Sequence, residues 1–411
     1  MINRKRIYDQ KLRTLHRQAN SKHIEESDNK TKALWSLINN ERRGKQCKQE
    51  CPKLNINNTT LHNPAEVAES FNTYFTQIAD MTIQNQINTL APGWTGENPN
   101  LLNIPMPQSF CMTPTTWTEV NQTIRSLKNK SSSGIDEFSS KSVKLCANEL
   151  TRPLVAIINK SFVDGHFPSR LKVSKVYPKH KTGKKSDPQN YRPISLISTF
   201  AKIIEKLVLK RLMVYLKHHN LITVNQHGFQ KEKSTISAII SLVESIIDSI
   251  EDEKYVTALF LDYSKAFDCL GHDLILKKLE NLGVRGIENK WFSSYLRGRS
   301  QLVEVQHTES CITRSYTSAP KPIARGVPQG SVLGPVLFIL LTNDFPTFID
   351  SPSTDCIMYA DDTTLLIKND TADELSLNSL TSLQRAIKYS ALNDLAINPK
   401  NTTQVHFSRK N

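Results

Sequence analysis

Cys356-Ile357-Met358-Tyr359-Ala360-Asp361-Asp362-Thr363-Thr364-Leu365-Leu366-Ile367 is the stretch whose reading decides the fold. An apolar run enters, two adjacent carboxylates follow, and a second apolar run leaves. Both flanks are short and rich in strand-forming residues, which predicts a β-hairpin with Asp361 and Asp362 at its tip. Adjacent carboxylates repel, and a cation between them removes that cost. The same pair also suits an ordinary surface turn, where Asp bonds its own backbone. Both readings stay open on this stretch alone.

A second stretch has the same character. Val256-Thr257-Ala258-Leu259-Phe260-Leu261-Asp262 is an apolar run that ends on a carboxylate. Tyr263-Ser264-Lys265-Ala266-Phe267-Asp268 follows, and then an amphipathic segment from Leu274 to Leu282, so the pattern is strand, acid, helix. A strand-end Asp262 beside Asp361 and Asp362 would offer three carboxylates to two Mg2+ ions. Such ions can activate an attacking hydroxyl and stabilise a leaving pyrophosphate. Mg2+ needs few protein ligands there, because water and substrate phosphates complete its shell.

Four motifs stand in order: Asn190-Tyr191-Arg192-Pro193-Ile194-Ser195, Phe260-Leu261-Asp262 with Ala266-Phe267-Asp268, Gly326-Val327-Pro328-Gln329-Gly330-Ser331, and Tyr359-Ala360-Asp361-Asp362. Together they resemble the reverse transcriptases of non-LTR (LINE-type) retrotransposons, over roughly residues 110 to 407. The resemblance implies an α+β fold, the fingers and palm of a right-hand polymerase. It would occupy residues 113–411, behind a helical N-terminal extension and linker at residues 1–112. The family's thumb follows the point where this sequence stops, so the chain reads as a truncated reading frame. The implied activity is RNA-directed DNA synthesis, moving a nucleotide from a dNTP to a primer 3′-hydroxyl on an RNA template. The implied cofactor is a pair of Mg2+ ions, or Mn2+, on Asp262, Asp361 and Asp362. Arg192, Gln329 and Gly330 would hold the nucleotide, and Phe267 would bar a 2′-hydroxyl. The alternative is a catalytically impaired remnant that still binds nucleic acid. A different metal-dependent phosphotransfer enzyme would explain the carboxylates but not Arg192, Phe267 and Gln329 together.

Composition agrees with an anionic partner. Lys and Arg number 53 against 39 Asp and Glu, a net charge of +14, which favours nucleic acid over membrane. Residues 1–17 are basic and polar with no secretory core, and the longest apolar run, Val332 to Leu341, is too short to span a bilayer. The seven cysteines are scattered, and Cys47 and Cys51 lack a second pair, so reduced thiols in an intracellular protein, nuclear or cytoplasmic, are expected.

Along the chain, residues 46–62 read as a linker. Pro64 opens a helix with Val67, Phe71, Phe75 and Ile78 on one face, and the prolines of residues 84–112 mark a connection. Ser131 to Asp136 reads as a flexible loop. The basic loop Lys179 to Lys185, which contains Lys181, lies between two strands ahead of Arg192 and suits phosphate, and a guanidinium fork suits it better. Thr199–His218 and Ile236–Ile250 both read as core helices. A helix from Val332 after the Gln329 turn would favour anionic ligands at its start. A helix from Asp373 to Leu395 should pack behind the hairpin through Leu380, Leu383, Ile387 and Leu392. Measured against the family, Gln230, Glu232 and Asn401 are departures. Asn401 stands where a Lys is usual.

Overall fold

A computed structural model describes residues 2–25, 34–35, 51–56, 59–89, 108–309 and 312–408. The expectations for residues 26–33 and 36–50, and for the proline-rich connection at 90–107, lie outside these. Residues 1–51 and 306–315 group as one compact unit, and residues 52–305 and 316–411 as the other. In chain order the elements are α1 (Ile2–Glu25), β1 (Leu54–Ile56), β2 (Thr59–Leu61), α2 (Pro64–Thr89), α3 (Trp117–Arg125), α4 (Ser140–Leu145) and α5 (Ala147–Asp164). Then come β3 (Val173–His180), β4 (Tyr191–Leu196), α6 (Thr199–His218), α7 (Thr235–Glu251), β5 (Tyr255–Leu261), β6 (Tyr263–Ser264), α8 (Ala266–Cys269), α9 (His272–Asn281) and α10 (Gly286–Leu296). The rest are β7 (Arg299–Glu309), β8 (Ile312–Thr317), β9 (Lys321–Ile323), α11 (Gly334–Leu341), α12 (Phe345–Ile349), β10 (Thr354–Tyr359), β11 (Asp362–Asn369), α13 (Ala372–Leu392), β12 (Ala396–Ile397) and β13 (Thr403–Phe407). The fold is mixed α+β.

The sheet that carries the acids orders its strands β10-β11-β5-β13, all antiparallel. Strand side chains alternate between faces, and each face finds its own cover. Leu259 and Leu261 of β5, with Cys356, Met358, Leu365 and Ile367, pack on Phe345 and Ile349 of α12 and on Leu375, Ala386 and Tyr389 of α13. Val256, Ala258 and Leu366 face the other way, onto Leu242 and Ile246 of α7. Being covered on both sides, β5 reads as a continuous apolar run rather than an alternating one. A second sheet orders β4-β3-β7-β8, with β9 also on β7. The larger core joins α3, α5, α6, α9, α10 and α11 around Trp291, Phe292, Tyr295 and Phe338.

Several expectations are corrected here. Residues 51–61 are not all linker: β1 and β2 pair, Leu54 is fully buried, and the Asn55 amide donates to the Ser186 carbonyl at 2.8 Å. The loop at Ser131–Asp136 is fastened, because Asp136 accepts from the Ser198 hydroxyl at 2.5 Å and Gly134 sits against the Ser198 backbone. The helix after the Gln329 turn begins at Gly334 rather than Val332, with Pro335 in its first turn. Leu380 of α13 is exposed. The largest departure is α7. It packs Leu242 and Ile246 on the sheet, yet Ile236, Ile239, Ile240, Val243 and Ile247 are exposed, Ile239 by 59%. It is therefore not a core helix like α6, which buries Ile203, Ile204, Leu207, Val208, Leu212 and Leu216. Both helices carry apolar residues at helical spacing, but in α6 that stripe is buried and in α7 most of it is exposed.

Among the described residues, α2 belongs to the same compact unit as residues 113–305 and 316–408 and buries Val67, Phe71 and Phe75, although the sequence reading assigns it to the N-terminal extension. No helix among the described residues is long and apolar enough to cross a membrane.

Candidate active site

Strand register assembles the acids. Thr363 of β11 pairs with Leu261 of β5, so the next step on each strand brings Asp362 opposite Asp262. The hairpin closes with Tyr359 paired to Asp362, which leaves Ala360 and Asp361 as its two-residue turn. Ala360 takes φ +57°, a left-handed conformation that disfavours a Cβ. A fully buried Gln226 offsets the strain: its Oε1 accepts the Ala360 amide at 2.8 Å and the Gly228 amide at 2.7 Å. A side chain at Gly228 would meet the Ala360 nitrogen at 2.4 Å, so this position needs glycine. The Met358 amide donates to Asn225 and the His227 amide to Met358, both by backbone bonds. The segment that carries the Gln230 and Glu232 departures thus braces the acid-bearing hairpin. Its Gln230 turns inward to the Gln226 carbonyl, and Glu232 pairs with Lys217.

The electrostatics of the three acids follow from this crowding. Burial pushes the Asp361 carboxyl above its ordinary value, and Asp362 and Asp262 push it further, with Arg192 opposing. Asp362 is also raised, by desolvation first and then by Asp262. Asp262 is held from the β13 side. Its Oδ2 accepts from the Asn398 amide at 3.0 Å and the Asn401 amide at 2.7 Å. Thr403 pairs with Phe260, so Asn401 falls opposite Asp262 by the same register count. No three His, Cys, Asp or Glu side chains among the described residues enclose an ion by themselves. The donor set nevertheless suits a hard divalent cation: carboxylate oxygens only, mutually repelling, and none in a salt bridge among the described residues. Asp262, Asp361 and Asp362 would hold it.

Opposite the acids stand the cations. Arg192 on β4 is exposed and reaches both Asp361 and Lys265 electrostatically. Lys181 is exposed beside it, its amide bonded to the Asn190 carbonyl at 2.8 Å. Lys265 joins them from the turn after β6, at φ +51°. Its ammonium is pushed down by burial, and Lys181 and Arg192 push it further while Asp268 opposes. Sequence reasoning quoted Lys265 within a motif and gave it no role.

The remaining predicted residues converge from two segments. Phe267 on α8 leans on Phe338, ring centres 5.1 Å apart. Gln329 donates its amide to both oxygens of Asp268, at 2.8 and 3.0 Å, and its carbonyl accepts from Ser195 of β4 at 2.9 Å. Gly330 sits at φ +133°, and a Cβ there would meet the Ser195 oxygen at 2.6 Å. The expected anion-friendly helix start is already taken. Glu205 of α6, fully buried, accepts the Val332 amide at 2.5 Å and the Leu333 amide at 3.2 Å. One signal could have found it: Glu205 falls in line with Ala201, Val208 and Leu212 on an apolar helix face, where a carboxylate needs a partner.

Comparison with known proteins agrees with this geometry. Residues 178–410 match the family described as reverse transcriptase (RNA-dependent DNA polymerase). The chain is 30% identical over 315 residues to a probable RNA-directed DNA polymerase from transposon BS of Drosophila melanogaster, covering 75% of this chain and 34% of that protein. It is 32% identical over 274 residues to the RNA-directed DNA polymerase from mobile element jockey of the same species, covering 65% and 29%. A probable RNA-directed DNA polymerase from transposon X-element, also of that species, is 27% identical over 320 residues, covering 77% and 33%. The chain thus spans about a third of the length of these curated relatives. On the family match over more than half its length, the chain belongs to the reverse transcriptase (RNA-dependent DNA polymerase) family, with its relatives among non-LTR retrotransposons.

Proposed function

We propose that this chain is the fingers and palm of a non-LTR retroelement polymerase, extending a DNA primer along an RNA template with dNTPs. The observation that carries this is the register of β5 and β11, which sets Asp262 and Asp362 opposite each other beside Asp361, with Arg192 in electrostatic reach of Asp361 and Lys181 and Lys265 near Arg192. Residues 113–411 would supply the catalytic region, and α2 of the N-terminal extension a brace behind α8.

Two divalent ions, Mg2+ or Mn2+, would lower the pKa of the primer 3′-hydroxyl and neutralise the leaving pyrophosphate. Asp262 and Asp361 are the principal ligands in this reading, and Asp362 completes the set. Asn398 and Asn401 hold the Asp262 carboxylate in one orientation from behind. Arg192 offers the triphosphate a planar fork, and Lys181 and Lys265 add charge beside it. Gln329 and Gly330 form the bed under the nucleotide, and Phe267 stands where a 2′-hydroxyl would project. The +14 charge suits the phosphate backbones of template and primer.

The test is incorporation of a labelled dNTP on a DNA-primed RNA template with Mg2+, run beside Asp361→Asn. Template-dependent incorporation by the parent and none by the variant is expected. Salt-insensitive RNA binding with no incorporation would sink the reading.

A further inference from the structure

We propose that Asp268 is a positioning residue: it sets the direction of the Gln329 amide beside the Phe267 ring, so that dNTP affinity and sugar choice depend on it. The inference rests on the polymerase reading above and goes beyond it, because that reading gives the Asp268 carboxylate no role: its oxygens bond Gln329, and Lys265 acts on it only as a second influence.

The backbone of the turn is already fixed by other bonds. The Val327 amide donates to the Phe267 carbonyl at 3.0 Å and the Gly326 amide to the Leu270 carbonyl at 2.8 Å. The His272 ring, four residues after Asp268, bonds the Gly326 carbonyl through Nε2 at 2.8 Å. Gly326 takes φ +78°, with room for no Cβ against the Asp268 and Phe267 carbonyls. Ser195 and Glu205 hold the far side. What Asp268 adds to this frame is the orientation of one side chain. Both its oxygens accept from Gln329 Nε2.

A carboxylate is an acceptor only, so it commits the NH2 end of the amide and leaves Oε1 turned away as a free acceptor. A bond to a charged acceptor is also stronger than a neutral one. Asp268 is the next residue after Phe267 on the single turn of α8, so one short element carries both the ring and the anchor. Burial raises the Asp268 carboxyl to about 6, against the pull of Gln329 and then Lys265. An acid kept in a place that resists its charge points to use of that charge.

The experiment uses the 411-residue chain on a DNA-primed RNA template, with dTTP against UTP. Asp268→Ala should raise KM for dTTP about tenfold with kcat little changed, the loss expected for one charge-assisted bond in binding. The UTP:dTTP ratio should rise with it, and Asp268→Asn, which still offers one acceptor, should recover most of both. Binding of dTTP to the chain on a dideoxy-terminated primer gives the same comparison without turnover. If Asp268→Ala does not melt cooperatively, Asp268→Leu replaces it at similar volume. A fall in melting temperature and kcat with KM and sugar ratio unchanged would mark a merely structural residue and overturn the inference alone. A parent chain that neither incorporates nor binds dTTP would overturn the polymerase reading, and this inference with it.

Discussion

Two turns a short distance apart along the chain are held in opposite ways. The turn at Gln329–Gly330 is satisfied from every side: Asp268 takes the side-chain amide, Ser195 the carbonyl, and Glu205 the two amides that follow. The turn at Ala360–Asp361 is fastened only through its backbone, by Gln226, and its carboxylates are left facing one another and Asp262. The backbone of the first turn is held by bonds within the chain, and the carboxylates of the second would, in the proposed reading, be balanced only by a cation. A surface that binds a substrate benefits from rigidity, whereas a site that must take up a cation has to leave charge unpaired until it arrives.

The comparison breaks most visibly if the acids prove inert. Asp361→Asn should reduce dNTP incorporation by at least about a thousandfold, roughly 4 kcal/mol in barrier. It should also abolish the rise in melting temperature that Mg2+ gives the parent, since the bound ion stabilises only a chain that can hold it. An unchanged Mg2+ shift in thermal melts would dismiss the assignment. The opposite signature is expected for the satisfied turn. Glu205→Ala strands two amides and leaves Arg299, 2% exposed, without its nearby counter-charge. It should cost about 3 kcal/mol in urea unfolding and leave the Mg2+ shift intact.

A pH series sharpens the same contrast. Asp361, Asp362 and Asp268 all have carboxyls raised in the folded chain, Asp268 from 3.8 to about 6. Each of these three carboxyls therefore holds its proton more tightly in the folded chain than in the unfolded one. The stability they contribute is greatest below the ordinary carboxylate value and is lost as pH rises through the raised values, up to about 6 for Asp268, while the lowered Glu69, Glu119, Asp355, His227 and His272 act in the opposite sense. In EDTA, the urea midpoint of the parent should fall across that window relative to the Asp268→Asn and Asp361→Asn chains. Mg2+ should restore the part due to Asp361 and Asp362 and leave the part due to Asp268. The smallest effect is expected far from both turns. Ile240→Ser on the exposed face of α7 should change stability by no more than about 0.5 kcal/mol in the same assay.

That last expectation also shows where pattern reading stops. Thr199–His218 and Ile236–Ile250 carry equally regular apolar spacing, and both were legible as helices. Their burial was not, because periodicity describes what a helix could cover and not what lies beside it. The hairpin and the strand ending at Asp262 were legible for a firmer reason: each pairs a short apolar run with a carboxylate that the run would not otherwise tolerate. The bracing role of Gln226 was not legible, because a buried amide and an exposed one look alike in sequence. Asn401 was noticed only as a departure, and its bond to Asp262 came from the pairing of β13 with β5.

The sequence by itself determined the hairpin, the strand ending at Asp262 and most of the helices, since those rest on local period and turn chemistry, and its four motifs carry the resemblance that singled out the three acids. Only the tertiary structure decided which groups meet. Strand register brought Asp362 opposite Asp262, and the tertiary fold delivered Glu205 of α6 to the Val332 and Leu333 amides ahead of α11. The placement of α8 set Asp268 on Gln329. Each of these bonds joins residues more than sixty positions apart, a distance over which chain order carries no information about contact.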